Sequence, residues 1–143
     1  MPEASIQLLL DQMDYTFGHG GWFRALDRAV EGLTAEQAAW HPGHGVNTIW
    51  QTVNHLTFWK TLCARRLDGA PLTAERIDNT TTFGNAGQPG DELAWRIALE
   101  HLASAHRAYH LKELFLVLNV HDAYHLGQIV TIRKLQDSWP RSS

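Results

Sequence analysis

The sequence is poor in cysteine, in basic clusters and in long apolar runs, and each shortage excludes a class of protein. Cys63 is the one cysteine, so no disulfide can form within the chain, and a reducing, cytoplasmic location fits that count. The longest basic cluster is Arg65-Arg66 and the net charge is −3, which excludes the basic stripe of a nucleic-acid-binding protein. No apolar stretch approaches the roughly 20 residues of a membrane span, and the N-terminus lacks the pattern of a secretory signal. We therefore expect a cytoplasmic protein that binds neither nucleic acid nor membrane.

Histidine and tryptophan are abundant instead, with nine and six copies among 143 residues. A chain of this length in which 44% of residues are apolar is the size of one domain with a substantial core, so residues 1–143 are predicted to form a single domain. An excess of histidine in a domain that is not basic indicates metal or proton chemistry.

Hydrophobic periodicity predicts four helices and no strand. The first predicted helix runs from about Ser5 to Glu31, and the second from a cap at Asn47 or Thr48 to about Asp68. The third runs from about Asp91 to a short junction before Leu111, and the fourth from about Leu111 to Asp137. That junction favours antiparallel neighbours. Residues 32–46 are predicted as loop, and residues 69–90 as a long polar linker of a kind that often covers something in a compact domain. The pattern is typical of an all-α four-helix bundle.

The first predicted helix contains three glycines, at positions 18, 20 and 21. Each costs about 1 kcal/mol relative to alanine in a helix interior. Three interpretations remain open: the helix is irregular at the glycines, a neighbouring backbone comes close to them, or a break divides the segment in two.

The same helix has two apolar faces, whereas a bundle core needs only one. We expect the face formed by Leu8, Tyr15, His19, Trp22 and Leu26 to point inward. The other face comprises Ile6, Leu9, Leu10, Met13 and Phe17. A soluble monomer rarely exposes so large an apolar patch, which predicts a two-fold homodimer through the N-terminal half of this helix. The alternative is that the 69–90 segment covers it.

His121 and His125 lie on one face of the fourth predicted helix. They continue a stripe with helical spacing that comprises Leu111, Leu114, Leu118, His121, His125, Gln128, Ile132 and Leu135. At about 100° per residue the two imidazoles lie roughly 40° apart around the helix axis, close enough to share an ion. Two adjacent histidines in a buried stripe are costly without partners, and a metal ion supplies one.

A third ligand is expected from another helix, because a bundle builds metal sites from facing helices. His55 is the preferred candidate, since it lies in the apolar arc of the second predicted helix. His19 and His106 are rival ligands, and both are also candidates for lining a pocket. Trp59 and Gln128 are further pocket candidates, each about one turn from a histidine of the proposed site. Asp122 is a candidate for orienting an imidazole, with a capping or surface role as the alternative.

Three segments of the sequence resemble the DinB-like family. They are Val53-Asn54-His55-Leu56-Thr57-Phe58-Trp59, the run from His121 to Ile129, and the segment from Gly32 to Trp40 followed by Pro42. The resemblance implies an up-down-down-up bundle of four helices with a three-histidine metal site. Its ligand positions match His55, His121 and His125. The short junction before Leu111 departs from many members, which carry a longer insertion there.

The family includes metal-dependent thiol transferases, and many members are homodimers. The resemblance therefore implies a divalent transition metal, with zinc or nickel the expected ions, and a low-molecular-weight thiol as substrate. Three imidazole ligands leave coordination positions open, as in catalytic zinc sites. The alternatives are a non-catalytic protein that binds a metal or small ligand, and a bundle that uses the ion only for stability.

Overall fold

The computed structural model describes residues 7–8, 10–11, 14, 16–18, 25–69, 77–110 and 116–140, and the helices in this part of the chain confirm the all-α prediction. The α-helices are α1 (Leu26–Val30), α2 (Ala35–Ala39), α3 (Ile49–Leu67), α4 (Glu92–His110) and α5 (Leu116–Leu135). A 3₁₀ helix, η1, spans Asn79–Phe83. The described residues among 7–17 are helical, and no strand occurs in the ranges given above. The up-down-down-up order remains a prediction.

Helices α3, α4 and α5 correspond to the second, third and fourth predicted helices. The start of α3 is fixed by a capping box: the Thr48 hydroxyl accepts from the Gln51 amide at 3.1 Å, and the Gln51 side chain accepts from the Thr48 amide at 2.9 Å. Both exposed backbone donors are thereby satisfied. Of the two predicted caps, Thr48 is the one used.

The first predicted helix is interrupted, which confirms the alternative of a break. Ala25 has an extended conformation with ψ of 160°, and α1 begins only at Leu26. The chain around Gly20 and Gly21 lies outside the described residues.

Two short helices lie in segments predicted as loop. In α2 the Thr34 side chain and Gln37 form a second capping box, and Glu92 accepts a hydrogen bond from the Ala35 amide at 2.9 Å. Helix η1 lies within the predicted 69–90 linker. Each has five residues, which is too short to show a hydrophobic period, so only the cap residues signal them.

The core lies where α3 packs against α4, α5, α2 and η1. Its buried side chains include Leu26, Ile49, Val53, Leu56, Trp95, Leu102, Leu126, Ile129 and Ile132. Arg133 near the end of α5 is buried, and its guanidinium donates to the carbonyls of Ala29 and Glu31 at 2.7 and 3.0 Å. This side chain caps the C-terminal end of α1 and joins it to α5.

The inward face of the N-terminal helical residues is opposite to the one predicted. Leu8 is 60% exposed, whereas Leu10 packs against the cluster of Ala64 and Tyr109, and Phe17 stacks on His106 with ring centroids 3.6 Å apart. The prediction assumed a continuous helix in which Leu8 lies on the same face as the buried Leu26. Because the helix is broken before Leu26, the two residues need not face the same way. Ile6, Leu9, Met13, Tyr15, His19 and Trp22 lie outside the described residues.

In the described part of the chain, no helix combines the length and the apolar character needed to cross a bilayer.

Candidate metal centre

The structure brings together the three histidines predicted as metal ligands. His55 on α3 and His121 on α5 place their Nε2 atoms 2.9 Å apart, and the Nε2 atoms of His121 and His125 are 3.2 Å apart. One ring nitrogen from each residue lies within 4.8 Å of the others. His55 and His125 are buried, and His121 is partly exposed. Three imidazole nitrogens therefore converge on one point between two packed helices.

A hydrogen bond to Thr82 fixes the tautomer of His55. The Thr82 hydroxyl donates its proton to the Asn79 carbonyl at 2.6 Å, so its oxygen accepts at 2.6 Å from Nδ1–H of His55. A neutral imidazole carries one N–H. The Nε2 atom of His55 therefore presents a lone pair to the cluster.

Gln128 fixes His125 in the same way. The Gln128 side-chain oxygen lies 2.6 Å from Nδ1 of His125. Because an amide oxygen only accepts, Nδ1 of His125 carries the proton and Nε2 presents a second lone pair to the cluster. Ligating histidines in proteins are commonly oriented by such a partner on the other ring nitrogen.

His121 completes the cluster between the other two imidazoles. Its Nε2 contacts both neighbouring Nε2 atoms, while its Nδ1 is buried without a hydrogen-bond partner among the described residues. A single proton on Nε2 of His121 can form a good hydrogen bond with only one of the two neighbouring lone pairs. A cation at the point of convergence would accept all three, so the donor set fits a metal ion.

The three imidazoles are neutral at physiological pH. Burial, reinforced by His125 and His121, lowers the pKa of His55 to about 3. Burial, with His125 and Lys60, lowers the pKa of His121 to about 4. Burial also lowers the pKa of His125, although its bond to Gln128 opposes the change. Since metal ligation requires the neutral form, protons do not compete for these nitrogens near pH 7.

Helix η1 covers the cluster and was missed by sequence reasoning. The Phe83 ring stacks on His55 with centroids 4.0 Å apart and an angle of 6°. Trp59, a predicted pocket residue, meets His55 edge-on at 6.4 Å, and its indole N–H donates to Asn79 at 3.3 Å. The length of the 69–90 segment was the available signal, but nothing in it identified Thr82 or Phe83 as the residues in contact.

The other predicted pocket residues lie in different surroundings from one another. Gln128 contacts the cluster through His125, as described. His106 is buried against Phe17 and is not one of the three grouped imidazoles. His19 lies outside the described residues. His101, used below as a control position, is exposed on α4.

Asp122 does not orient an imidazole and does not lie on the surface. Its carboxylate contacts the Lys60 ammonium at 2.5 Å, and both side chains are almost fully buried, with 2% and 1% of their surface exposed. Burial raises the pKa of Asp122, and the adjacent Lys60 opposes that change. Lys60 also lies over the rings of Phe17 and Tyr109, at 5.7 and 5.5 Å from their centroids. Sequence reasoning did not find this pair, because its two residues lie on different helices and lysine is usually a surface residue.

Comparison with known families supports the sequence resemblance. The model of the DinB superfamily matches residues 21–111, which is more than half of the chain and includes His55. Neither the curated proteins nor the solved structures gave a match. His121 and His125 lie beyond the matched range, and the structure brings them to His55. The chain belongs to the DinB superfamily.

Proposed function

We propose that His55, His121 and His125 bind one divalent transition metal and that the protein is a metal-dependent thiol S-transferase. The convergence of three Nε2 atoms, two of them held as lone-pair donors by Thr82 and Gln128, is the observation that carries the proposal. Zinc and nickel both suit an imidazole donor set. A bound ion of this kind lowers the pKa of a coordinated thiol or water.

The protein residues would orient the imidazoles and restrict the entry of water. Phe83 and Trp59 cover His55, whereas His121 is partly exposed and leaves the cluster open on its side. A site with three protein ligands and one open side has the form of a catalytic metal site, since structural zinc sites are closed by four.

The second candidate function is non-catalytic binding of a metal or small ligand. It is favoured by the absence of a carboxylate beside the imidazoles in the described part of the chain, because Asp122 is engaged with Lys60.

Metal content tests the ligand assignment. Purified protein should carry close to one equivalent of metal, and His55→Ala and His125→Ala should each lose most of it. His101→Ala, an exposed histidine on α4, is the matched control and should retain the metal. Full occupancy in His55→Ala would refute the assignment of α3.

Activity separates the two candidate functions. Metal-loaded protein should accelerate the reaction of a small thiol with a chromogenic electrophile, lose that rate on chelation and regain it on addition of metal. A rate that survives chelation would remove the metal from the mechanism. Metal binding without acceleration of any common low-molecular-weight thiol would favour the binding protein.

We also propose a homodimer in the cytoplasm. The exposed Leu8 among the N-terminal helical residues supports an interface there, on the opposite side from the partly buried Leu10 and Phe17. The single cysteine, Cys63, is consistent with a reducing compartment.

A further inference from the structure

A cleft lies beside the histidine cluster, between α5 and the segment that precedes α3. It has a volume of about 530 Å³, and its walls include Pro42, Val46, Tyr124, Gly127, Gln128 and Ile132. This volume falls in the range of small-molecule sites, about 300–1,000 Å³. We call it the α5 cleft.

The described side chains that line the α5 cleft are all uncharged. Two other cavities contrast with it: one of about 530 Å³ is lined by Arg28, Glu31 and Arg96 among others, and one of about 590 Å³ includes Asp91. A carboxylate or ammonium group placed in the α5 cleft would lose water without gaining an opposite charge, which is unfavourable. The lining therefore selects for an uncharged molecule with an apolar body.

Gly127 leaves open space in the wall of the cleft. It lies in the interior of α5, where glycine destabilises a helix by about 1 kcal/mol relative to alanine. A Cβ atom at this position would meet no heavy atom within 4 Å. Packing therefore does not require a glycine here, and a larger side chain at this position would take up space in the cleft that Gly127 lines.

Hydrogen-bond donors lie at the wall shared with the histidine cluster. Gln128 accepts from His125 through its oxygen and donates one amide hydrogen to the Tyr124 hydroxyl at 3.4 Å. An amide nitrogen has two hydrogens, and a hydroxyl that accepts keeps its own proton to donate. Both residues line the cleft, and the Tyr124 and His125 ring centroids are 5.0 Å apart. A carbonyl oxygen at this wall would therefore be bound one side chain away from the imidazoles.

We propose that the α5 cleft binds an uncharged, largely apolar carbonyl compound, and that this compound is the acceptor substrate of the histidine site. The role as acceptor rests on the proposed thiol transfer. With an α,β-unsaturated ketone, the thiol sulfur forms a bond to the β-carbon, and the electron pair of the double bond moves to give an enolate. The α-carbon then takes up the proton that the thiol released. Nothing leaves, and no oxidant is required.

Two naphthalenes of similar size and shape, one uncharged and one anionic, test the ligand class. The purified protein should bind 2-acetylnaphthalene, and 2-naphthoate should bind at least ten-fold more weakly, as measured by calorimetric titration. Equal or tighter binding of the carboxylate would overturn the assignment to uncharged ligands.

Gly127→Leu tests the location. The larger side chain should weaken 2-acetylnaphthalene binding at least ten-fold, while metal content stays unchanged and the helix is not destabilised. Val120→Leu is the matched control, since Val120 is 68% exposed on the same helix two turns earlier and does not line the cleft. Ketone binding that survives in Gly127→Leu would place the ligand elsewhere.

The connection to the metal has a spectroscopic readout. In cobalt-substituted protein, 2-acetylnaphthalene should change the visible absorption of the ion, because the ligand would contact Gln128, which orients His125. Ketone binding with an unchanged spectrum would overturn the acceptor role. Ketone binding by a protein that takes up no metal would refute the proposed function and the acceptor role, whereas the ketone site itself would stand.

Discussion

Single hydrogen bonds decide which nitrogen His55 and His125 present to the cluster. The Thr82 hydroxyl can accept from His55 because its own proton goes to the Asn79 carbonyl. A residue 27 positions away in the sequence therefore sets the tautomer of His55. Orienting residues of this kind belong to a metal site as much as the ligands do.

Thr82→Val should weaken metal affinity by about 10–100-fold, the usual effect of losing such a partner. Affinity can be measured by competition with a chromophoric chelator. Thr81→Val is the control, since Thr81 donates to the Asp78 carbonyl in the same 3₁₀ helix. Both variants lose a bond to the backbone, but only Thr82 contacts His55. Equal losses in the two variants would show that Thr82 acts only through the fold of η1.

The metal-free protein should lose stability in acid because its clustered imidazoles are buried in neutral form. In the unfolded chain histidine takes up a proton near pH 6.5, whereas His55 and His121 in the folded protein do so only near 3 and 4. Between these values the unfolded state binds more protons. The free energy of unfolding should therefore fall as pH is lowered from about 6.5 to about 4. Well above pH 6.5 these groups are neutral in both states and contribute no slope.

Urea denaturation of chelator-treated protein between pH 8 and pH 4 measures this slope. His55→Gln should make it shallower, whereas His101→Gln should leave it unchanged. The same slope in His55→Gln and wild type would show that the acid sensitivity arises elsewhere.

At the scale of helices, the ion pair between Lys60 and Asp122 joins the two elements that carry the ligands. Lys60 follows His55 on α3 by about one and a half turns, and Asp122 adjoins His121 on α5. Both charges are nearly inaccessible to water. A buried pair of this kind adds little net stability compared with apolar residues, but either charge alone is strongly unfavourable.

Lys60→Met should therefore lower the free energy of unfolding by about 3–5 kcal/mol, because it leaves a buried carboxylate without its partner. The double variant Lys60→Met, Asp122→Leu should recover most of that loss. Arg28→Met, which breaks the exposed pair with Glu31, should have little effect. A double variant as unstable as the single one would show that packing, not charge, is the reason for Lys60.

At the scale of the whole molecule, the proposed dimer depends on which side of the N-terminal helical residues is free. Leu8→Glu should convert a dimer to a monomer in sedimentation, because Leu8 is exposed. Leu10→Glu should instead lower thermal stability, because Leu10 packs on Ala64 and Tyr109. A monomeric wild type would refute the dimer, and a dimer that persists in Leu8→Glu would refute this surface.

The all-α class of the fold and the preferred histidines could be predicted from the sequence alone. Long helices such as α3 repeat their apolar period over many residues, so the period identifies them. His121 and His125 stand one turn apart on the same helix, which spacing alone reveals. The apolar arc around His55 made it the leading candidate for a third histidine.

The surroundings of those histidines depend on contacts between distant segments and could not be predicted from the sequence. Thr82, Phe83 and Lys60 meet the cluster or its neighbours across distances in sequence that no local pattern encodes. The inward side of Leu10 and Phe17 was also set by packing, since the interruption before Leu26 frees the N-terminal residues to turn independently. Local periodicity predicts that one face of a helix is buried. It does not predict which segment packs against that face, because that depends on contacts between residues distant in the chain.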